Sequence, residues 1–161
     1  MRELVFRPYV AADYAACLAV FDSNTPPYFD ASERAPFAQW LVNKGAGLLV
    51  YENASLDYYE VALLGDEIVG CAGYYIVSGE SVARMAWGMV HKDYHKQGIG
   101  SAHLKHRIQL MQNLFPGYTI DLGTSQLTYA FYVRHGFVVT QFFANGYGEG
   151  IDRYEMVLQL T

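Results

Sequence analysis

A chain of 161 residues, 52% hydrophobic and 17% charged, is sized for one domain that buries roughly two-thirds of its unfolded surface, which excludes a disordered polymer. Its net charge of −5 and pI near 5.4 argue against a nucleic-acid backbone as partner, since that binding draws on clustered Lys and Arg; a cationic small molecule suits the charge better. Mean hydropathy of +0.05 comes from short apolar runs, none long enough to span a bilayer, and Met1-Arg2-Glu3-Leu4 shows no leader pattern, so no membrane partner and a cytoplasmic location are expected.

Leu4 to Phe6 alternates as a strand does, Pro8 ends it, and Tyr14, Cys17, Leu18 and Phe21 recur at the spacing of an amphipathic helix. Cys17 and Cys71 sit among apolar neighbours without metal-knuckle spacing and are expected as reduced core residues. From Asp22 to Asp30, Asn24 and the paired Pro26 and Pro27 mark a loop. Asp30 followed three residues on by Glu33 predicts a capped second helix with Phe37, Trp40 and Leu41 as its buried stripe. Tyr28 and Phe29 suit a hydrophobic staple, with a pocket rim as the other reading.

Gly47 to Tyr51 fits a short strand or an extended turn equally. Tyr58 to Leu64 and Glu67 to Ile76 flank Gly65-Asp66 as a hairpin, and Val82 to Val90 is the next strand. Leu104, Ile108, Met111 and Phe115 then form one helical face. Lys105, Arg107 and Gln109 fall on its other faces and His103 and His106 toward solvent, until Pro116-Gly117 stops the helix. Tyr118 to Leu122 reads as a strand, Ser125 to His135 as a helix closed by Gly136, and two last strands lie around Ala144 to Gly150. No segment repeats and no linker interrupts the pattern, which predicts one mixed α/β or α+β domain over residues 1–161.

Val90 to Leu104 carries the chemistry. Gly98 and Gly100 let the backbone approach a ligand and turn its amides one way, and the following helix begins with unpaired N–H groups and a partial positive charge. Such a loop cradles a phosphate or pyrophosphate, so a phosphorylated cofactor is implied, with Lys96 and Lys105 adding charge. His91 and His95 stand four apart, but in a loop without an acidic partner close by, and no metal is expected.

The run Val90 to Gly100 resembles the cofactor loop of the GNAT superfamily of acyl-CoA N-acyltransferases, in which Arg or Gln, two variable residues, Gly, one residue and Gly or Ala follow a strand. His95 stands at the Arg or Gln position. A second stretch, Thr124 to Phe137, is similar to the family's later Asn-initiated helix, which carries a Tyr four residues before Gly-Phe. Tyr132 falls on that position, while Ser125 stands where Asn is frequent and Thr128 where Ala is frequent.

The resemblance implies a mixed, mostly antiparallel central sheet splayed between two strands and flanked by helices. It implies acetyl-CoA as donor and an N-acetyltransferase that moves the acetyl group, by direct attack, to a primary amine of a small molecule, peptide or protein. The main chain at Met89 and Val90 would pair with the pantetheine arm, and one N–H there would polarise the thioester carbonyl. His95, Lys96, Gln97, Gly98, Ile99, Gly100 and Ser101 would hold the cofactor's phosphates, and Ser125 its arm. The family's counterpart of the Asn24 to Phe29 loop often lines the acceptor site.

Tyr132 would protonate the leaving thiolate, because a phenol of pKa about 10 keeps its proton at neutral pH yet donates to a thiolate. Among 14 tyrosines, a core residue with a satisfied hydroxyl is its rival reading. Glu60, Glu80, Asp121 and Glu155 fall in or near predicted strands, where a paired or solvated carboxylate is the ordinary outcome, so no base is assigned. A non-catalytic acyl-CoA-binding module is the alternative, told apart by thiol release when amine is added. A nucleotide-binding oxidoreductase is disfavoured, because its glycine loop would follow the first strand. The amine, the acyl preference and the oligomeric state stay open, a homodimer included.

Overall fold

The computed structural model describes residues 2–49 and 51–161. Seven strands form one sheet in the order β1-β2-β3-β4-β5-β7-β6: β1 Leu4–Pro8, β2 Ala54–Leu64, β3 Glu67–Val77, β4 Val82–Val90, β5 Thr119–Thr124, β6 Val138–Gly148 and β7 Ile151–Gln159. Every neighbouring pair is antiparallel except β4 with β5. Four helices, α1 Tyr14–Ser23, α2 Arg34–Gly45, α3 Ile99–Leu114 and α4 Tyr129–Arg134, complete the fold.

Cys17, Leu18 and Phe21 of α1 and Phe37, Trp40 and Leu41 of α2 bury the stripes their spacing predicts, against Tyr59, Val61, Cys71 and Met89 of the sheet. Leu104 and Met111 of α3 pack with Tyr74, Ala83, Ile120, Leu122 and Met156 in a second core. Cys17 and Cys71 are both buried and free.

Asp30 and Glu33 form the expected capping box: the Asp30 carboxylate accepts the Ser32 N–H at 3.0 Å, and Glu33 accepts the Asp30 N–H at 2.9 Å. No staple accompanies it. The residue a staple would use is Arg34, whose guanidinium pairs with Asp22 at 2.9 Å, while Phe29 stacks on Phe21 at 4.9 Å. Gly47 to Leu49 is turn and coil, and Val50, inside the stretch read as strand or turn, lies outside the described residues.

The segment read as a helix from Ser125 to His135 is helical only over Tyr129–Arg134. Ser125 Oγ accepts the Leu127 N–H at 3.2 Å and the Thr124 and Thr128 hydroxyls bond each other, so short polar side chains hold this segment in a turn that a helix would break. The last two strands also extend well beyond Ala144 to Gly150 at both ends of the hairpin.

The feature that shapes the site is a parting in the sheet. β4 and β5 pair only at Val82–Thr119, Ala83–Ile120 and Arg84–Asp121, and the Arg84 guanidinium takes both Asp121 carboxylate oxygens at 2.9 Å where the pairing stops. Beyond that point β4 stays with β3 and β5 with β7, which leaves an open cleft between the two strands. A bulge marks β4 at the same level, where the register jumps from Gly73–Ala86 to Cys71–Met89 and Trp87 adopts φ 46°.

Candidate active site

A cavity of about 600 Å³ runs through this cleft. One end is built by the turn into α3. Gly98, at φ 81°, caps the helix in the left-handed conformation that glycine tolerates, and a Cβ there would meet nothing within 4 Å. The free N–H groups of a sixteen-residue helix thus open onto the cavity beside Lys96 and Arg134. Positive charge and unpaired donors at one place form an anion cradle, and the residues present fit a pyrophosphate.

Met89, Val90, His95, Lys96, Gly98, Gly100, Ser101, Ser125 and Tyr132 all line the cavity. Gln97 and Ile99 do not. Gln97 donates to Asp93 O at 3.3 Å, and Ile99 packs against Ala62 and Val69, so only their main chain remains for a ligand. The His95 ring is also turned back: its Nε2 lies 2.7 Å from Val90 O and its edge meets Tyr28. Ser101 Oγ and His135 Nε2, 2.8 Å apart, tie the start of α3 to the end of α4, which brings Arg134 to this end.

Tyr132 of α4 lines the same cavity, half-buried, with its ring in T-shaped contact with Phe131 and Phe137. Burial raises its phenol pKa, and the neighbouring Arg107 guanidinium works in the opposite direction. Rings dominate the rest of the lining, with Phe29, Tyr51, Tyr75, Trp87 and Tyr147 facing the cavity and Tyr28 lying between Phe29 and the His95 ring. Trp87 owes its placement to the bulge; a positive φ on a bulky residue is strained, a feature that clusters where binding fixes the backbone. Glu33 is the one carboxylate among the described lining residues, and burial lifts its pKa. Arg84 lies there too, with its charge matched by Asp121.

Beneath β4 lies a polar layer that hydrophobic periodicity hid. His103 and Arg107, placed on polar faces by the sequence, are 2% and 4% exposed. His103 Nε2 donates to Glu60 Oε1 at 3.0 Å, Tyr58 donates to Glu60 at 2.8 Å, and His106 Nε2 lies 3.4 Å from the same carboxylate. Phe6 stacks on both imidazoles, at 4.7 and 4.6 Å. Of the four acids considered from sequence, Glu60 is thus held in this network, Asp121 pairs with Arg84 and Glu155 with Arg153, while Glu80 is exposed.

Burial pushes His103 down to about 4, against the pull of the Glu60 hydrogen bond, and Glu60 stays below its usual range because its three polar partners outweigh its own burial. The folded chain therefore holds His103 neutral where the unfolded chain, near 6.5, begins to bind a proton. Its contribution to stability is complete above about pH 6.5 and is lost as pH falls toward 4, on the order of 3 kcal/mol in all. Urea midpoints measured from pH 7 to 4.5 should fall more steeply for the native sequence than for His103→Gln. Parallel slopes would show that this imidazole is not the group responsible.

The Acetyltransferase (GNAT) domain model matches residues 49–139 of the chain, more than half of it. The chain belongs to the GNAT acetyltransferases, enzymes that take the acetyl group from acetyl-CoA. A Desulfovibrio desulfuricans structure ascribed to that family has a TM-score of 0.79 at 20% identity, covering 99% of this chain and 100% of its own. The ribosomal-protein-S18-alanine N-acetyltransferase of Escherichia coli has a TM-score of 0.76 at 18% identity, covering 99% and 95%. An aminoglycoside 6'-N-acetyltransferase complexed with coenzyme A has a TM-score of 0.73 at 14% identity, covering 98% and 97%. At these identities the likeness establishes the mixed, mostly antiparallel fold. No curated protein sequence matches the chain. No helix among the described residues is long and apolar enough to cross a membrane.

Proposed function

We propose that the chain acetylates the primary amine of a small molecule with an apolar or aromatic body, by direct attack of the amine on the acetyl-CoA thioester. One observation carries this reading: the anion cradle at the start of α3, the unpaired edge of β4 and Tyr132 all line a single cavity. The main-chain amides from Gly98 to Gly100, with Lys96 and Arg134, would hold the pyrophosphate, and Ser101 and Ser125 lie along the groove for the rest of the cofactor. Just past the end of β4, the His91 N–H bonds Val69 O of β3 at 2.7 Å. Strand alternation then turns the Val90 main chain to the open side, where its carbonyl accepts from Asn24 and faces His95. The Val90 N–H, rather than that of Met89, is the donor we assign to the thioester carbonyl.

Tyr132 supplies the proton for the expelled thiolate. In the rest of the lining the aromatic faces and Glu33 suit a protonated amine before it reacts, and Glu33, lifted by burial, is placed to take its proton. A substrate carboxylate would meet Glu33 there with the Arg84 charge already neutralised. The test is release of free thiol from acetyl-CoA with a panel of arylalkylamines, polyamines, amino acids, aminoglycosides and peptides. Phenethylamine and its relatives should turn over, and amino acids with a free α-carboxylate should not. If polyamines or peptides outpace every arylalkylamine, the aromatic lining has been misread; if no amine releases thiol, the transfer reading itself fails.

A further inference from the structure

Arg107 is an unexpected occupant of the buried face of α3. It is 4% exposed, and burial of a cation without a carboxylate is costly. Its Nη1 reaches Met85 Sδ at 3.2 Å and Gly73 O at 3.4 Å, and its Nε has no hydrogen-bond partner. Glu60 cannot serve as its ion-pair partner, since that carboxylate is engaged by Tyr58, His103 and His106. The guanidinium packs against Gly88 of β4, where a Cβ would stand 3.5 Å from Nη2, an ordinary contact. Both Arg107 and Gly88 line the cavity, so a cation forms part of its wall beside the β4 bulge. Tyr132 lines the same cavity, and the Arg107 charge there works against the rise that burial gives the Tyr132 phenol.

We infer that Arg107 is a positioning residue for the acid step: from the cavity wall it shares with Tyr132, its buried charge, unmatched by a carboxylate, stabilises the phenolate left when the Tyr132 hydroxyl gives up its proton. The inference rests on Tyr132 being the acid. In the step, the amine nitrogen bonds the carbonyl carbon, the C–S bond breaks, and sulfur takes the Tyr132 proton. The proton shed by the new amide nitrogen returns to Tyr132 through solvent, so the phenol is restored. A buried phenol alone is a reluctant donor, because burial penalises the anion it must become, and a fixed guanidinium offsets that penalty at the moment of transfer. The other titratable groups around the pair are Glu60 and Tyr59 of β2, His103 of α3 and Tyr147 of β6. Glu60 and His103 bond each other, and the two tyrosines are neutral at the working pH.

The test is a double-mutant cycle on the whole chain, with acetyl-CoA as donor and phenethylamine as acceptor, and hydroxylamine as a second nucleophile small enough to need no acceptor pocket. Arg107→Met should lower kcat on the order of 10- to 100-fold and leave the acetyl-CoA dissociation constant within about twofold. The alkaline limb of kcat should move to higher pH, because the phenol loses the cation that favours its ionised form. Arg107→Lys, which keeps a charge, should restore part of kcat and return the limb toward its original position. In a Tyr132→Phe background, Arg107→Met should cost less than about twofold more.

A full additional loss in that background would mean that Arg107 acts without Tyr132, and the inference falls while the acid reading stands. An unmoved alkaline limb in Arg107→Met overturns it equally. If Tyr132→Phe alone leaves kcat intact, it is the acid reading that fails. Should Arg107→Met not fold, Arg107→Lys decides through the same cycle: a kcat loss that persists undiminished beside Tyr132→Phe overturns the proposal.

Discussion

Tyr132→Phe is expected to reduce turnover on the order of 100-fold or more while leaving acetyl-CoA affinity almost unchanged. The substitution keeps the ring that packs against Phe131 and Phe137 and removes only the hydroxyl of a residue that lines the cavity together with Arg107. A group that acts when the C–S bond breaks is felt in kcat, whereas one that merely holds the cofactor is felt in its dissociation constant. Single-turnover and titration measurements on one preparation separate the two. Near-normal turnover with an accepted amine would remove Tyr132 from the mechanism. A large fall in melting temperature would instead favour its rival role as a core residue.

Gly100→Asp should abolish the rise in melting temperature that acetyl-CoA gives the native chain. A ligand at 100 times its dissociation constant stabilises by about 2.7 kcal/mol, so the native shift is readily measured. The variant should still fold. A Cβ on Gly100 would meet only Val90 Cγ2 at 3.7 Å and the Phe131 ring at 3.8 Å, ordinary contacts, and an acid in the first turn suits the helix dipole. Those same neighbours line the cavity, so the new carboxylate enters the cradle and repels a phosphate. Gly100→Ala separates bulk from charge and should keep most of the shift. A folded Gly100→Asp that binds acetyl-CoA as the native chain does would move the pyrophosphate elsewhere.

Much of the fold was legible because its signals are local. The strand Val82–Val90, the helix stop at Pro116-Gly117 and the Asp30–Glu33 box each depend on a few adjacent residues, and the structure has them where the sequence put them. What escaped depends on partners distant in sequence. Counting apolar residues along α3 finds Leu104 and Met111, yet treats His103 and Arg107 as a wet face; the polar partners they meet when buried, Glu60 and the Gly73 carbonyl, lie 43 and 34 residues earlier. Glu33 was readable as a cap and not as a cavity wall, since the second role requires the loop before α2 to lie across β4. The parting of β4 and β5 has no signature in either strand, because it consists of pairs that are not made.

That parting also has a mechanical side. The sheet is two leaves, β1 to β4 and the three strands β5, β7 and β6, joined by a hinge of three residue pairs with the Arg84–Asp121 ion pair at its open end. The hinge is backed unequally. On the α3 face, Tyr74 and Ala83 of one leaf share a core with Ile120, Leu122 and Met156 of the other, whereas the core beneath α1 and α2 draws its sheet residues from the first leaf alone. The leaves are therefore glued along one side and free along the other, so the gap widens most easily toward α1 and α2, the side on which Tyr28, Phe29 and Trp87 stand. A molecule bonded to both facing edges would close the ladder and turn two loosely coupled leaves into one stiff plate.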